Sequence, residues 1–294
     1  MKQVFFVFTA VILSLGLFGQ DKIFHPNVKS VKLYRFGDQT SFPIYLLGSA
    51  DGLELYFDDL DTRVKNYYYT FQLCNADWTP SILLPFDYIR GFQNVRLTTY
   101  RNSSISTTRY VHYQATIPDR NCQPSRSGNY LLKVYLDNDT SKLVFTKRMV
   151  VVENKAGITA QVLQPFNANL FRTGHRLNVA VQTDSRLQVL SPSDLKVVIL
   201  QNNNWQTSSF IDRPTIFRGN YYEYSDEALM ALPAGKEFRW IDLRSLRLKS
   251  DRMQDINNRG DTVHVFVKPD PDRLSQVYVY YRDLNGNYTI ENMD

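Results

Sequence analysis

The clearest hydrophobic periodicity in the chain lies between Phe57 and Ser81. Tyr67, Tyr69, Phe71 and Leu73 fall on one side of the segment, and Tyr68, Thr70, Gln72 and Cys74 on the other. A period of two is that of an extended chain, whose successive side chains point to opposite faces. Three consecutive tyrosines suit a strand, because flat or branched side chains cover a pleated surface well. Turn chemistry brackets the run. Asp58, Asp59 and Asp61 precede it; Asn75, Asp77 and Pro80 follow, and short Asx side chains bond their own backbone and close turns. Trp78 stands just past the strand, where a large ring can cap one end of a core.

The same alternation recurs at short intervals. Val31 and Leu33 alternate with Lys32 and Tyr34, and Leu53, Leu55 and Phe57 with Glu54 and Tyr56. Phe42 to Leu47 is a short apolar run broken by Pro43, which suits a sheet edge. Val111, Tyr113, Ala115 and Ile117 form another series, as do Tyr130, Leu132, Val134 and Leu136. The polar turn at 137–141 leads into Leu143–Glu153, the returning strand of a hairpin. Residues 82–94 differ: they contain Pro and Gly, have no clean period, and read as a long connection with one helical turn.

Short strands separated by turns predict a β-sandwich. The first domain is expected over residues 20–153, its last two strands forming the closing hairpin of a fibronectin or immunoglobulin type sandwich. Asn154–Gly157 is polar and short and is read as a linker. A second β-rich sandwich-like domain is expected over 158–294. Ile158, Ala160 and Val162 open it, and Leu177, Val179 and Val181 follow. Leu195–Leu200, Asn220–Tyr224, Phe238–Leu243, Val263–Val267 and Val277–Tyr281 are its other strand candidates. Asn202–Trp205 reads as a turn, and Asn285-Gly286 as a tight one. The fold class predicted is all-β: two tandem fibronectin/immunoglobulin-like β-sandwich domains after a signal peptide.

Composition narrows this further. Residues 4–18 are nearly all apolar and follow Lys2, the length of a signal-peptide core and too short for a membrane span. A cleavable signal peptide over 1–19 is expected, with no Cys after it to carry a lipid. Its removal takes the formal net charge from +5 to +4, because Lys2 is its one charged residue. The basic residues are scattered, so no nucleic-acid footprint is expected, and no membrane span follows the signal. In an oxidising compartment Cys74 and Cys122 could be joined or remain two thiols with Cys74 packed as a small apolar residue; the sequence leaves both open.

Catalytic chemistry is poorly supplied. There is no G-x-S-x-G, no phosphate loop, and His25, His112, His175 and His264 stand far apart with no metal-ligand spacing. Neither catalytic residues, nor a cofactor, nor a small-molecule substrate is expected. Asp58, Asp59 and Asp61 are the best ion candidates, since oxygen-rich loops suit calcium, and solvated turn acids are the alternative. Asp59 and Asp77 flank the central strand as the nearest thing to a paired-carboxylate arrangement and are read as turn formers. Trp78, Trp205, Tyr221 and Tyr222 are available to stack on sugars, although aromatic residues in sandwiches are more often core.

Several blocks, taken in order, resemble a known family. They are Phe57–Asp61, Lys65–Thr70 and Cys74–Ser81, then Pro85–Tyr88, Gly91-Phe92 and Ser127–Tyr135. Together they are similar to the plug protein of the type IX secretion system of Bacteroidota, in order over about residues 28–152 and more weakly beyond. The resemblance implies a non-enzymatic periplasmic protein that binds the outer-membrane translocon barrel and occludes its pore when idle. Family members generally continue into a further domain, so it also implies a truncated or short member. An anchor for the barrel is best sought at Pro85, Phe86, Tyr88 and Phe92, which put aromatic bulk on the segment without a strand period. The alternative is that these rings fold back over the core. The rival functions are a carbohydrate-binding module and a cell-surface interaction module.

Overall fold

The structure is a computed structural model that describes residues 20–104, 106, 108–235, 238–260, 262–270 and 283–291. The expected signal peptide over 1–19 and the expected strand at Val277–Tyr281 lie outside the described residues. The described chain is built from antiparallel strands and is all-β. In order they are β1 (Lys22–Ile23), β2 (Val28–Arg35), β3 (Ile44–Leu46), β4 (Leu53–Asp59), β5 (Tyr67–Cys74), β6 (Ile89–Gly91) and β7 (Val95–Arg96). Then come β8 (Tyr100–Asn102), β9 (Val111–Ile117), β10 (Cys122–Pro124), β11 (Gly128–Leu136), β12 (Leu143–Val152), β13 (Ala156–Leu163) and β14 (Gly174–Thr183). The last are β15 (Val197–Ile199), β16 (Ser209–Ile211), β17 (Ile216–Arg218), β18 (Tyr221–Tyr224), β19 (Ala231–Pro233), β20 (Met253–Arg259) and β21 (Thr262–Val267). Among the described residues two single α-helical turns interrupt them, α1 (Pro85–Tyr88) and α2 (Glu227–Met230), with three 3-10 turns at Pro192–Asp194, Gln201–Asn203 and Trp205–Thr207.

The contacts divide the chain into two units. The first comprises the residues up to Val31, Leu55–Asn102 and Tyr110–Val151; the second comprises Lys32–Glu54, Ser103–Arg109 and the residues from Val152 onward.

The first unit is a sandwich of two sheets, ordered β1-β12-β11-β5-β7 and β2-β4-β9-β8. The period of two in the sequence decides what is inside. Tyr67, Tyr69, Phe71 and Leu73 of β5 are buried while Tyr68, Thr70 and Gln72 are half-buried. Leu55 and Phe57 of β4 are fully buried in the same way. Phe57 is the hub where the sheets meet. Its ring stacks on Tyr113 of β9 at 5.0 Å, and meets the edges of Tyr67 at 5.0 Å and of Phe145 at 5.1 Å. Offset-stacked and edge-on pairs suit the charge distribution of aromatic rings. Each such ring withdrawn from water contributes about 1.5–3 kcal/mol before entropy is counted. β11 departs from simple alternation. Leu131 and Tyr135 are buried along with Tyr130, Leu132 and Val134, because β11 is a central strand and its outer face is covered too. Part of that cover is Trp78, whose ring lies under the Arg148 guanidinium of β12 at 4.7 Å.

The second unit carries its own core. Val179 and Val181 of β14, Ile199, Ile211, Tyr222, Tyr224 and Met230 are buried together. They lie between the β13-β14-β18-β17 sheet and the β15–β16 ribbon. β20 and β21 form a second ribbon. The expected turn at Asn202–Trp205 is there, with Asn202 and Asn203 at φ 54 and 58, a region that asparagine tolerates. Asn285 and Gly286 take φ 49 and 77, the type I′ geometry that their sequence specifies. Phe238–Leu243 is not a strand. Asp242 instead accepts hydrogen bonds from the backbone N–H of Arg244 at 3.0 Å and from its guanidinium at 2.8 Å, a local turn that competes with a ladder. In the same unit Lys32 is buried and its ammonium is held by the carbonyl of Gln39, the side chain of Asn287 and the carbonyl of Tyr288.

Candidate functional site

Two places in the first unit gather the residues singled out by the sequence. The first is the exit of β4. Asp59 is fully buried, and its carboxylate accepts from the Tyr67 hydroxyl at 2.7 Å and from the backbone N–H of Asp61 at 3.0 Å. Lys65 brings its ammonium to 2.8 Å from Asp59 and 3.3 Å from Asp61. Asp61 also pairs with Arg63, and that hydrogen bond, then the one from Lys65, lowers its carboxyl pKa to about 2. Asp58 pairs with Nδ1 of His112 at 2.7 Å. Burial, then the Asp59 carboxylate, pushes the Tyr67 phenol far up, so this hydroxyl stays a proton donor. The three ion candidates of the sequence thus have partners within the chain: the His112 imidazole for Asp58, the Lys65 ammonium for Asp59, and Lys65 with the Arg63 guanidinium for Asp61. Among the described residues no group of three or more His, Cys, Asp or Glu side chains is arranged to hold a metal ion. The cluster locks the β4 exit to the β5 entry. Asp77 is likewise a turn residue, accepting from the Thr79 backbone N–H at 3.0 Å and from its hydroxyl at 2.6 Å.

The second place is the connection from β5 to β6. Its backbone is fixed at many points. The Asp87 carboxylate accepts the Leu84 N–H at 2.9 Å and so caps α1, and Pro85 fills the first helical position, where a missing N–H costs nothing. β6 pairs with β10, the Phe92 N–H donates to Asn121 O at 2.6 Å, and the Arg126 guanidinium donates to Asp87 O at 3.0 Å. On this fixed base large apolar side chains face water: Ile82 is 95% exposed, Phe92 69%, Phe86 67% and Leu84 55%. Among the four anchors expected from the sequence the structure separates two classes. Phe86 and Phe92 are presented outward and Pro85 is half-buried. Tyr88 is a correction: it is 4% exposed and packs edge-on against Tyr130 with centroids 6.0 Å apart, so it is a core residue and no contact group. Ile82 and Leu84 were not expected as contact residues. Their signal was an unbroken apolar run, Ile82-Leu83-Leu84, in a segment with no strand period.

Gly91 holds the base of this loop. Its φ is +92, and a Cβ there would come within 2.3 Å of the Asn121 carbonyl oxygen. Gly91→Ala is expected to cost at least about 1–3 kcal/mol, because both the left-handed backbone and the contact must be relieved. Its melting curve, compared with that of Gly235→Ala, where a Cβ meets nothing within 4 Å, checks this.

Cys74 and Cys122 are both buried and both free thiols. Burial raises the pKa of each, that of Cys122 to about 12 from a usual 9.0. A thiol whose folded pKa is raised contributes stability that is complete below the unfolded pKa and is lost as pH rises toward the folded one. Between pH 9 and about 12 the unfolded chain has released the Cys122 proton and the folded chain has not, so stability falls with rising pH. Urea midpoints at pH 8 and above should therefore decline, and Cys122→Ser should flatten the decline. Native protein should not react with a thiol reagent at neutral pH.

The aromatic residues considered for sugar stacking do not form a platform. Trp78 and Tyr222 are buried, at 4% and 5% exposure. Trp205 is tilted against Phe42 at 5.9 Å, and Tyr221 alone is exposed.

No helix among the described residues is long and apolar enough to cross a membrane. Comparison with curated proteins finds no match. Over 93% of its length the chain is similar to 69% of a hypothetical protein from Parabacteroides merdae known from its crystal structure, with a TM-score of 0.85 and 26% identity. Residues 28–153, which hold the β4–β5 lock and the apolar loop, match the type 9 secretion system plug protein 1st domain. Through these residues the chain carries a type 9 secretion system plug protein 1st domain, which supports a role in type IX secretion.

Proposed function

We propose that the chain is a non-enzymatic periplasmic plug. It docks on the periplasmic mouth of the outer-membrane translocon barrel of the type IX system and closes the pore while no substrate passes. A signal peptide over 1–19 exports it, and sandwiches over 20–153 and 158–294, joined at 154–157, form the stopper. Blocking needs a body that keeps its shape, and strands fixed by ladders keep theirs while loops make the contacts. The observation that carries the docking is the Ile82–Phe92 loop: aromatic and aliphatic side chains held in water on a base fixed by the Asp87 cap and the β6–β10 pairing. Exposed apolar surface of this kind marks interaction sites, and aromatic residues dominate binding hot spots. Pro85, Phe86 and Phe92 are the proposed barrel contacts, with Ile82 and Leu84 beside them.

The test is affinity capture from a solubilised Bacteroidota outer membrane with the tagged chain as bait. Recovery of the translocon barrel, and a rise in ion leakage through the barrel when the chain is deleted, is the expected result. Absence of the barrel from the captured material ends the proposal.

A further inference from the structure

The second unit ends on one side in a strand with no described neighbour. β13 closes the sheet order β13-β14-β18-β17, and its residues 156–162 are all exposed. Its eight residues pair with β14 in unbroken register, Ile158 with Val181, Ala160 with Val179 and Val162 with Leu177. Cross-strand partners share a face, so these three side chains extend the apolar face on which Val179 and Val181 are buried. Yet Ile158 is 71% and Val162 65% exposed.

An edge strand presents a row of unpaired backbone N–H and C=O groups and templates another strand unless charge, proline or a bulge blunts it. β2, also eight residues long and at a sheet end, has such devices: Lys29, Lys32, Arg35 and a left-handed Ser30 at φ 55. β13 reads AGITAQVL, without a charge or a proline.

The sequence of β13 also says what fits it. Around Ala160 the residues mirror each other in kind: Thr159 and Gln161 are polar, Ile158 and Val162 are β-branched and apolar, and Gly157 stands opposite the bulkier Leu163. We propose that β13 is a self-association edge on which two copies pair their β13 strands antiparallel about a two-fold axis through Ala160. That register sets Ile158 against the other copy's Val162, Thr159 against its Gln161, and Leu163 against a residue with no Cβ. It joins the two apolar faces into one stripe and opposes no charges. A two-fold interface uses the same patch on both copies, so one self-complementary strand suffices. Pro165, which has no N–H, ends the ladder at the position that would face Lys155.

Light scattering coupled to size exclusion, on the whole chain over a range of concentrations, tests this. The expected mass is twice that of one chain, falling to one chain for Ala160→Lys, which sets two ammonium groups face to face at an exposed position. A register-specific measurement keeps the test independent of that variant's folding. Ala160→Cys places its two thiols about 4.5–5.5 Å apart at Cβ and should cross-link on mild oxidation. Gly157→Cys places them six residues apart along the pair, roughly 20 Å, and should not. A single-chain mass for the parent protein, a dimer retained by Ala160→Lys, equal cross-linking at both positions, or pairing of β13 only with a different protein would each overturn the proposal. Failure of barrel capture leaves it untouched, because neither readout involves the barrel.

Discussion

Asp59→Ala is expected to destabilise the first unit by about 3–5 kcal/mol, the usual cost of removing one partner of a buried ion pair. Three losses coincide. The Lys65 ammonium, 18% exposed at its side chain, loses its 2.8 Å partner; the buried Tyr67 hydroxyl loses its acceptor; and the Asp61 N–H loses the carboxylate that closes the turn. Lys65→Ala should cost a comparable amount for the opposite reason, since it leaves the fully buried carboxylate of Asp59 short of a cation. Replacing both, as Asp59→Leu with Lys65→Met, should recover much of the loss, because an apolar pair of similar size avoids the cost of dehydrating two charges. At about 2–4 °C per kcal/mol the single variants should melt about 6–20 °C below the parent. Urea unfolding followed by near-ultraviolet circular dichroism, which reads the packed tyrosines, measures this. Single variants within about 0.5 kcal/mol of the parent, the range of ordinary surface changes, would show that the acids are a solvated turn after all.

The lock at Asp59 illustrates what the sequence carries and what it does not. Period and turn chemistry are local, so β4, β5, β9, β11 and β12 were legible before any coordinates, as were the helical turn inside 82–94 and the tight turn at Asn285-Gly286. Which acid goes inside is not local. Asp58, Asp59 and Asp61 look alike as a string; only the pleat of β4, which turns Asp59 to the buried face, separates them. Lys65 was equally silent, since its role depends on folding back over the Asp61 turn. Tyr88 was misplaced for a related reason. Aromatic bulk on an aperiodic segment says that a ring must go somewhere, and only the single turn of α1 decides that Tyr88 points down while Phe86 points out. β13 shows the converse. Its alternation correctly marked a strand, but alternation cannot tell whether the apolar side is covered, because cover comes from other parts of the chain or from a partner.

Truncating Phe86 and Phe92 together to alanine is expected to abolish barrel capture while leaving folding almost untouched. Both rings are about two-thirds exposed, at 67% and 69%, so their removal opens no cavity and should change stability by no more than about 0.5 kcal/mol. If they are anchors in a desolvated contact, each truncation costs about 2 kcal/mol or more of binding, which is a loss of roughly 30-fold per ring. Tyr88→Ala is the matched control and should behave in the opposite way. It removes a ring that is 4% exposed and packed on Tyr130, and the cavity should cost about 3–5 kcal/mol. Capture by the Tyr88 variant should survive at temperatures where it remains folded, provided the β6–β10 ladder still holds the loop. The two variants thus separate a contact from a scaffold by one pair of measurements, the melting midpoint and the amount of barrel recovered. Unchanged capture by the double Phe variant, with its midpoint also unchanged, would move the docking surface away from residues 82–92 and leave their exposure to be explained by another partner.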